Sequence, residues 1–260
     1  TAGFFPERPA GAPSLLSLLP GLTFIEPAWW SRLTGHPIDS LDGAFWSLYV
    51  EFKFYCFAAI VYYWKGRNAL IGALLAVFAL ASLVGTAGQH TGAGPILLLG
   101  RTLAHLSFEY FGWFAAGAAF YVYAKSRLIG WFAAAAAMAL LSAAATGGLQ
   151  WQNTLTAVLV ALYFAASIVV APIQALLTWR PLQFFGLISY PLYLLHQNII
   201  VASVVKIGDV VGNSLPAVLF PLLPVAALSV TAYVLVKYGE PYVKQQIVRI
   251  RPFRSRPKRA

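Results

Sequence analysis

Three groups of polar residues interrupt otherwise apolar sequence and have the side chains that chemistry requires. The first lies in Phe45-Trp46-Ser47-Leu48-Tyr49-Val50-Glu51-Phe52-Lys53-Phe54-Tyr55, where Glu51 falls about a turn and a half inside a long apolar segment and Lys53 follows it. A carboxylate at that depth in a membrane helix is costly, and its default readings are a pairing partner, a wet cavity or a catalytic site. The second group is Arg101, His105 and Glu109, spaced i, i+4 and i+8 and therefore on one face of a continuous helix. Ser189, Tyr190, Tyr193 and His196 form the third, with Gln197 and Asn198 directly after them. Carboxylate and imidazole groups of this kind can take or give a proton, and the hydroxyls can hydrogen-bond a polar substrate.

Each group also has a plainer reading. Glu51 could pair with Lys53 or Arg101 and only hold helices together. The Arg101-His105-Glu109 ladder could satisfy itself near the interface, and His196 could be a hydrogen-bonded packing residue. Cys56 reads as packing, and as the single cysteine it excludes a disulfide framework or a thiolate metal cluster. No His/Cys/Asp cluster has metal-ligand spacing, and neither a G-x-S-x-G elbow nor a glycine-rich phosphate loop is present. No metal and no resident cofactor is therefore expected. The seventh apolar segment has only the terminal Lys237, which argues against a retinal Schiff base.

The elements that must position these residues follow from composition. The chain is 60% hydrophobic and 10% charged, with a mean hydropathy of +0.72, against roughly 25% charged residues in soluble domains. Apolar segments recur, each long enough to cross a hydrocarbon core of about 30 Å. The spans run 45–64, 69–87, 97–123, 129–147, 153–177, 183–205 and 215–237, so the expected fold is all-α and integral to the membrane, with about seven helices in one bundle. Pro221 and Pro224 are expected to kink the last of them. Residues 1–44 form an external, interfacial segment: the run Leu15–Ile25 is broken by Pro20 and Gly21, Trp29 and Trp30 suit a headgroup belt, and Asp42 can cap the helix that follows.

Charge sets the orientation. Lys65 and Arg67, Lys125 and Arg127, Arg180 and the terminal tail follow alternate spans, whereas 88–96, 146–153 and 207–215 carry no Lys or Arg. The positive-inside rule then places the C-terminus in the cytoplasm. The net charge of +10 is concentrated after the last span, with seven basic residues between Lys244 and Arg259. That fits a basic cytoplasmic tail, 242–260, beside anionic lipid, and not a nucleic-acid site. Counting about 1.5 Å per residue, Glu51 lies roughly 8–9 Å below the outer end of its span and His196 about 20 Å up from Leu182. All three polar groups are thus expected in the central and outer half of the bundle. An odd number of spans with an external N-terminus, in a chain that begins at Thr1, is most easily explained by helices upstream.

Trp46-Ser47-Leu48 with Glu51 and then Phe54-Tyr55 resembles the W-S-L-x-x-E-x-x-F-Y signature of acyltransferase family 3, the integral-membrane acyltransferases that modify glycans such as O-antigen, capsule and exopolysaccharide. Phe111 with Gly117 and Tyr121 resembles a family helix that carries a phenylalanine, a glycine and, four residues after it, a tyrosine. Gly186, Ser189-Tyr190, Tyr193-Leu194 and His196 resemble its G-x-I-S-Y-x-x-Y-L-x-H helix, and Glu240-Pro241 its closing E-P. The resemblance covers 46–241 and makes 45–241 an acyltransferase-like transmembrane domain, the last seven helices of a core of about ten.

What the resemblance implies is transfer of an acyl group, with acetyl-CoA as the expected acyl-CoA donor, to a hydroxyl of a glycan or lipid-linked glycan at a bacterial inner membrane. The family's principal histidine belongs to a first helix that would precede residue 1, so no residue here is assigned as the catalyst. Trp46, Ser47, Glu51, Tyr55, Arg101, His105, Glu109, Ser189, Tyr190, Tyr193 and His196 are the site-supporting or substrate-binding candidates. A proton-coupled transporter or flippase using the same intramembrane groups as a relay, and an inactive homologue acting as a scaffold or sensor, are the alternatives.

Overall fold

The computed structural model describes residues 14–92, 94–148, 150–212 and 216–250. Among the described residues all regular structure is helical. The α-helices of the described residues are, in order, α1 Leu18–Thr23, α2 Pro27–Thr34, α3 Trp46–Thr91, α4 Gly94–His105, α5 Phe111–Ser126, α6 Ile129–Gly147, α7 Trp151–Val169, α8 Ala171–Leu177, α9 Arg180–Val211, α10 Leu222–Val234 and α11 Glu240–Ile250. Among the described residues five stretches are long and apolar enough to cross a membrane: Gly43–Gly88, Ile129–Gly147, Trp151–Val169, Arg180–Val211 and Leu222–Gln246. The first covers both of the first two predicted spans, and Gly66 separates them with a non-helical φ of 81° and ψ of −177°. Only glycine enters that region without strain, so the bend falls within Lys65-Gly66-Arg67. The chain forms two compact units, one of residues up to Trp46 together with those from Trp179 onward, the other Ser47–Thr178.

In the Ser47–Thr178 unit, α5, α6 and α7 pack around Phe111, Phe120, Met138 and a stripe of alanines that includes Ala115, Ala135 and Ala161, all buried. Lipid tails are as apolar as these side chains, so helices in a membrane associate through close van der Waals packing, which small residues permit. The closest approach is at Gly112, where a Cβ would lie 2.2 Å from Ser142 Oγ and 3.0 Å from the Phe78 ring. Phe54 of α3 stacks on Phe114 of α5, with ring centroids 3.9 Å apart. Cys56 is exposed on α3, contrary to the expectation that it packs, because the helix turns its Phe54 and Phe57 face to this core.

Two predicted spans are broken. The segment 97–123 is divided between α4 and α5 by a turn at Leu106–Tyr110, with Ser107 left-handed at φ 60°. The segment 153–177 is divided at Val170, whose extended φ and ψ of −98° and 106° end α7 and start α8. Pro172 is the cause, since it has no N–H for the carbonyl of Ile168. That carbonyl instead accepts from Gln174 Nε2 at 2.8 Å and Arg127 Nη1 at 3.1 Å.

In the other unit α9 packs against α10, and Ile188 and Ala202 of α9 and Leu228 and Ala232 of α10 are buried. Phe184 lies against Tyr233, ring centroids 5.7 Å apart. Pro221 and Pro224 do not kink the last span: the helix begins between them, with Pro221 as its N-cap and Pro224 in the first turn, where a missing N–H costs little. The irregularity lies later, in a π-helical turn at Leu235–Gly239 that carries α10 on into α11. Pro20 and Gly21 likewise sit inside α1 and do not end it. Gly21 leaves room for the Phe45 ring, which a Cβ there would meet at 3.1 Å. Trp30 Nε1 donates to Thr23 Oγ1 at 3.0 Å, joining α2 to α1, and Trp29 faces the Arg32 guanidinium at 5.4 Å. The first part of the expected external segment and most of the basic tail lie outside the described residues.

Candidate functional site

The candidate residues fall into two groups, one in each compact unit. The first is built where the chain turns into α3. Asp42 has the extended backbone of an N-cap, and its Oδ1 accepts from the Ala44 N–H at 2.8 Å, as its place ahead of the helix predicts. Its backbone carbonyl accepts from Ser40 Oγ at 2.7 Å. The carboxylate is only 5% exposed, so its second oxygen must also find a donor. Asn198 of α9 supplies it: Nδ2 lies 2.7 Å from Oδ2 and 3.2 Å from the Leu41 carbonyl.

Neighbouring positions on α9 extend this seam. The Tyr193 hydroxyl donates to the Ala44 carbonyl at 3.0 Å. Gln197 lies over Gly43, where a Cβ would come within 2.6 Å of its side-chain nitrogen. His196 Nδ1 is 2.6 Å from the Tyr193 carbonyl. A carbonyl only accepts, so Nδ1 carries the proton of that bond and a neutral ring presents Nε2 as an acceptor. Ser189 and Tyr190 are exposed further down α9, and the Ser189 hydroxyl donates to the Gly186 carbonyl at 2.8 Å. Trp46 begins α3 and is exposed.

Tyr193 therefore fastens its side chain to the backbone of the α3 start across a sequence distance of 149 residues. Phenylalanine at this position removes one neutral hydrogen bond and keeps the ring. The expected loss is about 1 kcal/mol of stability, read as a lowered unfolding midpoint of the detergent-solubilised protein.

The second group lies where α4 is interrupted. Lys53 Nζ donates to the His105 carbonyl at 2.6 Å and to Ser107 Oγ at 2.9 Å. His105 is the last residue of α4, so the ammonium sits at an end that leaves carbonyls unserved and carries partial negative charge. Because the helix stops there, Arg101, His105 and Glu109 do not form the single-faced ladder that their spacing predicts. Arg101 is exposed on α4, His105 is half-buried at its end, and Glu109 is half-buried in the 3-10 turn Phe108–Tyr110. Ser47 and Glu51 are half-buried in the first turns of α3, and Tyr55 is exposed one turn on. Among the described residues Glu51 forms neither a hydrogen bond nor an ion pair, so the plainer alternative, a pairing with Lys53 or Arg101, is not seen.

Three participants were not among the site candidates that the sequence offers. Asn198 carried a signal, an amide in an apolar run two residues after His196. Asp42 was legible as a cap, but its second partner comes from a helix 156 residues away. Ser107 had none, since nothing in Leu106-Ser107-Phe108 marks a left-handed residue.

Several helices long and apolar enough to cross a membrane define a multi-pass membrane protein. A family model described as an acyltransferase domain matches residues 10–236. The chain belongs to acyltransferase family 3. No curated protein matches it, and no solved structure does.

Proposed function

We propose that the protein is a membrane-bound O-acyltransferase that moves an acyl group, acetyl in the simplest case, from acyl-CoA to a hydroxyl of a cell-envelope or exported glycan. The observation that carries this reading is the match of the acyltransferase family over residues 10–236. Seven crossings suit it, with the α3 bend at Gly66 separating two and α4 with α5 together making a third. The inner membrane of a bacterium, with the C-terminus cytoplasmic, is the setting that the loop charges favour.

In such a transfer the acceptor oxygen attacks the thioester carbonyl, a C–O bond forms, the C–S bond breaks, and the hydroxyl proton passes to a base while CoA leaves as its thiol. A base must lie within hydrogen-bond reach of the hydroxyl, and donors must meet the oxyanion. We assign the principal base to the family's first-helix histidine, whose motif none of these residues matches. Glu51 is the candidate to orient that base or bind acceptor hydroxyls, and Nε2 of His196 can accept a hydrogen bond from an acceptor hydroxyl. Ser189 and Tyr190 suit the donor or acyl path. Tyr193, whose hydroxyl is used on Ala44, serves position instead.

The helix interruption at residues 105–110 would suit a proton-coupled transporter, in which discontinuous helices line the substrate path. One experiment separates the two. Membranes carrying the native gene product are given acetyl-CoA labelled in the acetyl group, and envelope glycan is analysed by mass spectrometry with and without the gene. Gene-dependent label on the glycan is expected. Loss of glycan export with unchanged acylation would decide for the transporter.

A further inference from the structure

We propose that Asp42 and Asn198 are positioning residues of the acyltransferase, holding the segment that begins α3 against the part of α9 that carries His196; this rests on the acyltransferase reading. The Asp42 carboxylate is buried and has both oxygens engaged, one by its own helix start and one by Asn198. Asn198 also donates to the Leu41 carbonyl, so a single amide group holds the backbone and the side chain of the segment together. The Tyr193 hydroxyl holds the same segment two residues on, at the Ala44 carbonyl. Gly43 admits Gln197 between these two fastenings because it has no Cβ.

The consequence falls on two residues that resemble family motifs. Trp46 follows the fastened segment directly, and His196 lies between Tyr193 and Asn198 on α9. The same Tyr193 whose hydroxyl reaches Ala44 gives its carbonyl to His196 Nδ1. The seam thus fixes the level at which Nε2 is presented relative to Trp46. A misplacement of about 1 Å in a catalytic arrangement can cost roughly a hundredfold in rate, so a loosened seam should lower turnover without removing any group that touches substrate.

The polarity of the pair makes it testable by exchange. In Asp42→Asn, an amide NH2 meets the NH2 of Asn198 if the cap on Ala44 is kept. In Asn198→Asp, two carboxylates face each other. With both changes together, the amide now at position 42 caps Ala44 through its oxygen and donates to the carboxylate now at position 198, restoring the bond with its direction reversed, while the donation to the Leu41 carbonyl is lost. The four proteins are made from the native gene, and acyl transfer is measured in membranes alongside the unfolding midpoint of each purified protein.

Each single variant is expected to lose at least tenfold in kcat with KM for acyl-CoA changed less than twofold. The exchange variant should recover to within about fivefold of the native kcat, and the midpoints should follow the same order. Losses that multiply in the exchange variant, or singles whose kcat per folded molecule is unchanged, would overturn the proposal while leaving the acyltransferase reading in place. A native protein with no gene-dependent acyl transfer would overturn the acyltransferase reading and the catalytic role of the pair with it. The midpoints would still judge the hydrogen bond itself.

Discussion

Glutamine in place of Glu51 is expected to reduce acyl transfer by about a hundredfold or more, the scale seen when one preorganised polar group is removed from an active site, while making the folded protein slightly more stable. The opposite signs follow from the surroundings of this side chain. Glu51 is half-buried in the second turn of an apolar helix and, among the described residues, has no hydrogen-bonding or ionic partner. An ionised carboxylate in a membrane helix costs about 2.5–3.5 kcal/mol near the bilayer centre, and an amide of the same shape costs less. If Glu51 only held helices together, its replacement would lower both stability and activity. If it meets the base or an acceptor hydroxyl, activity falls and the unfolding midpoint holds or rises, a trade that functional sites often show. The measurement pairs acetyl transfer in membranes with thermal unfolding of the purified variant. Activity near native, at any stability, would remove Glu51 from the site.

The sequence made the helical class plain because apolar runs of crossing length leave few alternatives, and it placed α6 and α9 closely. Interruptions were harder. Pro172 breaks its span and Pro224 does not, although both are prolines in apolar sequence. What separates them is position: Pro172 deprives an existing turn of a donor for Ile168, whereas Pro224 stands where a helix is only starting. The break at Ser107 left no local trace, and the cation that serves it comes from 54 residues earlier in the chain. For the same reason spacing misled at Arg101, His105 and Glu109: helical periodicity relates residues only as long as the helix continues. Tyr193 and His196 were legible as candidates from their types and neighbours. Asp42 and Asn198 were not legible as a pair, since a buried carboxylate with one local partner gives no sign of where the second will come from.

Lys53 is where a distant partner has the largest structural consequence. Methionine at this position is close in length and far more apolar, so lipid solvation alone would favour it. The expected outcome is the reverse, a loss of about 2–3 kcal/mol, because hydrogen bonds to a charged group are worth about 1.5–3 kcal/mol and their removal leaves acceptors unserved. The His105 carbonyl would lose a donor at 2.6 Å, Ser107 would lose one at 2.9 Å, and the end of α4 would lose the cation that its dipole favours. Arginine keeps the charge on a bulkier, planar head and should fall between methionine and the native residue. Ser107→Ala removes only one of the two acceptors and should cost about 1 kcal/mol. Ser107→Gly loses the same bond but relieves the left-handed backbone at φ 60°, which glycine adopts freely, so it should cost less than alanine. Hydrogen exchange locates the effect: in Lys53→Met, amides of residues 101–110 should exchange faster, while those of α10, in the other compact unit, stay protected. Unchanged exchange at the break, with an unfolding midpoint equal to or above the native one, would mean that the turn holds its shape without the lysine and that the interruption of α4 is set by Leu106–Tyr110 alone.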